Sequence, residues 1–153
     1  MIPNDRKPKI FLRRICEAGS EMKPIGSNIT KTLDIGAELT CADNSGAKKL
    51  EIIGVKTRQG RRSRRDSAGI GDVVMVKILK GDQEVKNQVF EAVVVRQRKE
   101  FQRPNGLRVK FEDNAAVLVE ETGLPKGSVT RGPIAKEVVE RYTPIGKIAS
   151  QVV

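Results

Sequence analysis

The chain has 153 residues, enough for one hydrophobic core with at most a small appendage, and its 29 Lys and Arg against 19 Asp and Glu give a formal charge of +10. Such a surface attracts polyanions, and since the cations fall in loops between alternating strands, not along a basic amphipathic helix, nucleic acid is favoured over lipid. With no histidine, and only Cys16 and Cys41 without CxxC spacing, zinc binding and His-based catalysis are disfavoured, so no cofactor, no metal and no enzymatic activity is expected.

Residues 1–21 form a basic N-terminal extension with Pro3 and Pro8 and no sustained period. Two readings stand side by side: a tail that orders on RNA, or a stretch ahead of a true start at Met22. Ile10-Phe11-Leu12 is too short for a signal-peptide core, and no apolar run reaches the length of a membrane span, so a cytosolic protein without a membrane partner is expected.

Residues 22–131 read as the main domain. Strand-like AELTCA (37–42) runs into the turn cluster Asp43-Asn44-Ser45-Gly46, and KLEIIGVK (49–56) returns from it as the second arm of a hairpin, with Lys48 and Lys49 at its entry as further candidate cations for nucleic acid. Cys41 in such a strand is expected to be a small buried hydrophobe. KTRQGRRSRR (56–65) holds six cations and no acid. Like charges at that density repel one another unless phosphates neutralise them, which nominates Arg58, Arg61, Arg62, Arg64 and Arg65 as phosphate contacts.

Ala68-Gly69-Ile70-Gly71-Asp72 lacks the Lys-Ser/Thr of a phosphate loop and precedes a strand, so it is a turn. DVVMVKILK (72–80) is apolar on nearly both faces, as in a barrel interior. A polar connection follows at 81–87, with a helical turn started by Asp82.

Residues 92–118 read as one β-hairpin. Val93 to Val95 give a β-branched run, Arg103-Pro104-Asn105-Gly106 suits a type I turn closed by a glycine bulge, and Leu107, Val109 and Phe111 alternate with charged residues on the way back. Between Arg96 and Lys110 lie six cations (Arg96, Arg98, Lys99, Arg103, Arg108 and Lys110) against the single acid Glu100, which makes them candidates for an anionic partner. Alternation places Phe111 inward and leaves Phe101 as the one obvious exposed aromatic.

Residues 132–153 differ in kind. Pro133 suits a first helical turn, and Ile134, Ala135, Val138, Val139 and Tyr142 fall at helical spacing. Lys136 with Glu140 and Glu137 with Arg141 make i,i+4 pairs on the other side. Thr143-Pro144 ends the helix, and 147–151 forms a further turn. Short strands separated by Gly, Asn and Pro turns, followed by this helical segment, point to a mainly β fold built on a small closed barrel.

Ala92 with Val93 to Val95, the gap 96–104, Asn105-Gly106, Phe111, Asn114 and Val117-Leu118 together resemble the signature of the universal large-subunit ribosomal protein family L-fourteen. The blocks at 42–47, 68–72 and 131–133 are similar to that family's first turn, second turn and helix start. Arg96-Gln97-Arg98-Lys99 and Phe111-Glu112-Asp113-Asn114 resemble its archaeal and eukaryotic branch. Residues 1–21 match no part of it.

The resemblance implies a closed five-stranded β-barrel with a projecting β-ribbon and a short C-terminal helical part. It also implies binding to large-subunit rRNA, contact with neighbouring large-subunit ribosomal proteins, and a position facing small-subunit rRNA across the subunit interface. A docking site for the anti-association factor, initiation factor six, is implied around Ile134, Lys136, Glu137, Glu140 and Arg141. No homo-oligomer is needed.

Two rivals make distinct demands. A free single-strand-binding barrel needs exposed aromatic platforms, for which Phe101 is the main candidate. A magnesium-dependent nuclease would use Asp43, Asp72 and Asp113, although lone aspartates beside Asn and Gly are usually turn residues.

Overall fold

The computed structural model describes residues 24–56 and 65–153. The strands in chain order are β1 (Leu33–Asp34), β2 (Glu38–Cys41), β3 (Ala47–Val55), β4 (Ser67–Ala68), β5 (Val73–Gly81), β6 (Val89–Arg96), β7 (Phe101–Gln102), β8 (Arg108–Val109), β9 (Ala115–Val119), β10 (Pro133–Ile134) and β11 (Gln151–Val152). Helices α1 (Lys136–Arg141) and α2 (Thr143–Lys147) lie between the last two.

Strands β2, β3, β5, β6 and β9 pair in that order into a closed barrel, as the sequence leads one to expect. All of its neighbours are antiparallel except the closing pair, where Thr40 and Cys41 of β2 run parallel to Ala115 and Ala116 of β9. Closure leaves none of these five strands with a bare edge. The hairpin of β2 and β3 turns at the predicted Asp43–Gly46 cluster: Asp43 Oδ1 accepts from the Ser45 hydroxyl at 2.5 Å and its N–H at 3.3 Å, and Gly46 takes φ 87°. A register shift between Ile52 and Gly54 bends β3 round the barrel.

Alternation along the strands builds two cores. Leu39, Leu50, Ile52, Val74, Val76, Ile78, Ala92, Val94, Ala116 and Leu118 fill the barrel interior. Val93, Val95, Ala115, Val117 and Val119 point the other way and are covered by Ile70, Phe101, Ile134, Ala135, Val138, Tyr142 and Ile145. This second core explains why the valine run at 93–95 is buried on both faces. In β5 the outward Met75 escapes it and is exposed. At 82–87 the expected turn is present, with Lys86 N–H bonded to the Asp82 carbonyl at 3.0 Å.

The ribbon is less continuous than one hairpin. β6 pairs with β9 and β7 with β8, but between those ladders Phe111 N–H to Gln97 O at 3.1 Å is the backbone tie across the two arms. The tip has the expected geometry: Gly106 N–H donates to Arg103 O at 2.9 Å, Arg103 N–H to Leu107 O at 2.9 Å, and Gly106 sits at φ 84°. A Cβ added at Gly106 meets no atom within 4 Å, so only backbone strain opposes it. Gly106→Ala should therefore cost about 1–2 kcal/mol, read as a lowered urea midpoint.

The C-terminal segment departs from a single helix. Pro133 and Ile134 are extended and pair in parallel with Gln151 and Val152, and α1 begins only at Lys136. Proline's fixed φ and missing N–H suit the start of a short strand as well as a helix. Pro144 does not merely stop α1, since it lies in the first turn of α2. Lys147 ends α2, residues 148–150 make the expected further turn, and Gln151 opens β11.

Cys41 is buried, as expected. Its Sγ donates to Asp43 Oδ1 at 2.9 Å, and burial reinforced by the Asp43 charge pushes the thiol up to about 12. In a Cys16→Ser background, a thiol reagent at pH 8 should label Cys41 only at denaturant concentrations that unfold the barrel; labelling of the native protein would contradict this.

Candidate nucleic-acid interface

The nominated cations divide by where their side chains go. Arg98, Lys99, Arg108 and Lys110 are exposed on or beside the ribbon, and Lys48, Lys49 and Arg65 are exposed on the barrel. Arg58, Arg61, Arg62 and Arg64 lie outside the described residues, as does the 1–21 extension. Arg98 is steadied by its Nε on Glu112 O at 2.8 Å, while its N–H donates to Asn114 Oδ1 at 2.9 Å. Lys49 pairs with Glu38 at 3.1 Å and Lys99 with Glu100 at 3.3 Å, both pairs in the open, where they are worth little. Arg108 and Lys110 form no ion pair among the described residues.

Arg96 is turned inward and only 7% exposed. Its Nε and Nη2 bind both oxygens of Asp113 at 2.8 and 3.0 Å, and its Nη1 reaches the carbonyls of Arg131 and Pro133 at 2.9 and 3.0 Å. Gly132 lies between those carbonyls at φ 79°, and a Cβ there would stand 2.9 Å from Nη1. The Arg-Gly-Pro sequence at 131–133 thus wraps a guanidinium. Arg96 fastens the ribbon's root to the C-terminal segment and does not face solvent.

Arg103 is also engaged. Its Nε and Nη2 grip Glu137 at 2.7 and 3.2 Å, and Nη2 also donates to Val153 O at 2.8 Å. Glu137 is 4% exposed and accepts from the Ser27 hydroxyl at 3.0 Å as well. Burial alone would raise the Glu137 pKa, but hydrogen bonds from Arg103, its own backbone and Ser27, with the Arg103 charge, hold it below the usual glutamate value. The expected Glu137–Arg141 pair is replaced by this longer-range one, whereas Lys136–Glu140 forms at 3.3 Å.

Of the nominated docking residues, Ile134 and Glu137 are buried, Lys136 and Glu140 are exposed, and Arg141 is half-buried with Nε unpartnered beside the Tyr142 ring. Phe101, expected outside, is 1% exposed. Its pairing opposite Val109 puts it on the ribbon's apolar face, which lies on the second core. That removes the aromatic platform a single-strand binder needs.

The three aspartates are also held internally. Asp43 Oδ2 accepts from Leu118 N–H at 2.8 Å, Asp72 accepts from Gly69 N–H at 2.9 Å and pairs with Lys31 at 2.9 Å, and Asp113 holds Arg96. Among the described residues no group of three His, Cys, Asp or Glu is placed to hold a metal ion.

Sequence reasoning missed two features. Gln97, fully buried, donates to the Thr30 and Lys99 carbonyls at 3.1 and 2.9 Å and accepts from Ile70 N–H at 3.2 Å, filling the gap between the two ribbon ladders. Lys80 lies across from Lys49 in the β3–β5 ladder, which adds a cation to the Lys48–Lys49 patch. Like charges directly opposite are unfavourable unless an anion joins them. The Lys49–Lys80 register reveals the second, and the burial and long-range hydrogen bonds of Gln97 the first.

The family model described as Ribosomal protein L14p/L23e matches residues 32–153. The chain is 50% identical over 132 residues to the large ribosomal subunit protein uL14 of Halobacterium salinarum, covering 86% of this chain and all of the relative. It is 52% identical over 124 residues to that of Methanothrix thermoacetophila (81% and 92%) and 50% over 128 to that of Methanococcus vannielii (84% and 97%). The chain therefore belongs to the ribosomal protein L14p/L23e family, whose members are structural, non-enzymatic components of the cytoplasmic ribosome.

Proposed function

We propose that this chain is a large-subunit scaffold protein that binds rRNA through its ribbon cations Arg98, Lys99, Arg108 and Lys110, with Arg65 and the arginines at 58–64, and through a second footing at Lys48, Lys49 and Lys80. The observation that carries the reading is the pair Arg108 and Lys110: exposed cations that form no close ion pair among the described residues, on a ribbon whose root and face are fastened to the body. Phosphate and shape contacts dominate, because double-helical RNA hides its base edges in a deep groove. Neighbouring large-subunit proteins and small-subunit rRNA are the further partners, and the exposed Lys136 and Glu140 on α1 form the docking face for initiation factor six.

Tagged protein in a native archaeal extract should sediment with large subunits; sedimentation as free protein at low salt would refute the reading. Lys136→Glu with Glu140→Lys should reduce capture of initiation factor six by purified large subunits without reducing incorporation of the protein. Equal capture by mutant and wild-type subunits would remove the factor from the proposal.

A further inference from the structure

The ribbon's direction is not set by its strands. β7 and β8 share two residue pairs, and an isolated two-stranded hairpin is marginal in water. The ladder to the barrel is interrupted between Gln97 and Phe101 on one arm and between Val109 and Ala115 on the other. Beyond the ties at its root, where Phe111 bonds Gln97 and Arg98 bonds Glu112 and Asn114, the outer ribbon is held laterally by Asn28 bridged to Gln102, by Phe101 and Val109 on the second core, and by the Arg103–Glu137 pair.

That pair is unusual in its place. The side chains are 17% and 5% exposed, and Glu137 is an anion set beside the cations proposed to meet RNA. On charge alone it weakens such a surface. A buried ion pair is also a poor source of stability compared with apolar side chains of the same size, whereas a two-toothed Arg–carboxylate grip is strongly directional.

We infer that Arg103 and Glu137 are positioning residues, a joint that fixes the ribbon against α1 so that Arg98, Arg108 and Lys110 meet RNA phosphates as one pre-arranged set. Neither residue touches RNA in this account. The ribbon's binding and the docking face beside Glu137 on α1 then share one rigid unit. This rests on the rRNA reading above and names what makes that site competent.

Two substitutions separate positioning from charge, because they change net charge in opposite directions. Glu137→Gln removes an anion and releases the Arg103 guanidinium, so electrostatics alone demands tighter RNA binding and a steeper salt dependence. The joint demands the reverse: binding of transcribed full-length large-subunit rRNA weaker by roughly tenfold, from the cost of ordering a loosened ribbon, with the salt slope no steeper. Arg103→Gln should weaken binding to a similar degree, and the double variant should be no worse than either single one, since both break the same contact.

Hydrogen exchange on the free full-length proteins supplies the second readout. Amides of β7, β8 and the 103–107 turn should exchange faster in each variant, while those of β5 and β6 keep wild-type protection and so report an intact barrel. Should Glu137→Gln disturb β5 and β6, the less buried Arg103→Gln decides the matter. Binding by Glu137→Gln as tight as wild type or tighter, or ribbon exchange unchanged in both variants, overturns the joint. Failure of the wild type to bind rRNA, with ribbon exchange still accelerated in the variants, instead overturns the rRNA reading and upholds the joint.

Discussion

Replacing Arg98, Arg108 and Lys110 together by alanine is expected to lower affinity for large-subunit rRNA by roughly two decades near 0.1 M salt. Each phosphate contact adds about 0.7–0.9 to the slope of log affinity against log salt, so three lost contacts should flatten that slope by about two to three. All three side chains are exposed, and among the described residues the internal bond that a side chain among them makes is from Arg98 Nε to a backbone carbonyl. Thermal stability should therefore stay within about 1 kcal/mol of wild type. Filter binding over a salt series reads both quantities, and an unchanged slope would show that these cations meet no phosphate.

Asp113→Ala should be the most destabilising single change at the ribbon. It leaves the Arg96 guanidinium buried with two carbonyl acceptors and no counter-charge. Breaking a buried pair from one side typically costs about 3–5 kcal/mol, and the low end applies because Asp113 is itself about a third exposed. For a chain of this size that corresponds to a drop of roughly 6–12 °C in Tm. Adding Arg96→Met removes the stranded charge and should recover part of the loss; a double variant less stable than Asp113→Ala would place the cost elsewhere.

The barrel was legible because its determinants are local. Alternation of Leu50 and Ile52 marks β3, short continuous apolar runs mark β5, β6 and β9, and Asp43–Gly46 and Arg103–Gly106 carry the turn chemistry their backbones use. The two-residue strands were not legible, since β10 and β11 owe their shape to each other across 18 residues and not to their own composition. The same distinction governs the site. Arg98 and Arg96 differ in nothing the sequence displays locally, yet one is solvated and the other is held by groups 17 to 37 residues away. Arg103 is likewise claimed by Glu137, 34 residues on. A run of cations therefore shows that a ribbon is basic, but only the fold shows which of its members are free.

Phe101 carries the same lesson for an apolar residue. Alternation from Leu107 assigns faces on one arm, but the face of the opposite arm depends on register, and the Phe101–Val109 pairing sends both into the second core. Leu107, on that same alternation, falls beyond the core and is exposed.

The salt dependence of binding to folded large-subunit rRNA tests the central claim most directly. With the exposed nominated cations and the arginines at 58–64 engaging phosphates, the slope of log affinity against log salt should lie at roughly −8 to −10. An unstructured RNA of similar length should bind far more weakly at every salt concentration. A slope near zero, or equal affinity for the unstructured RNA, would contradict the account.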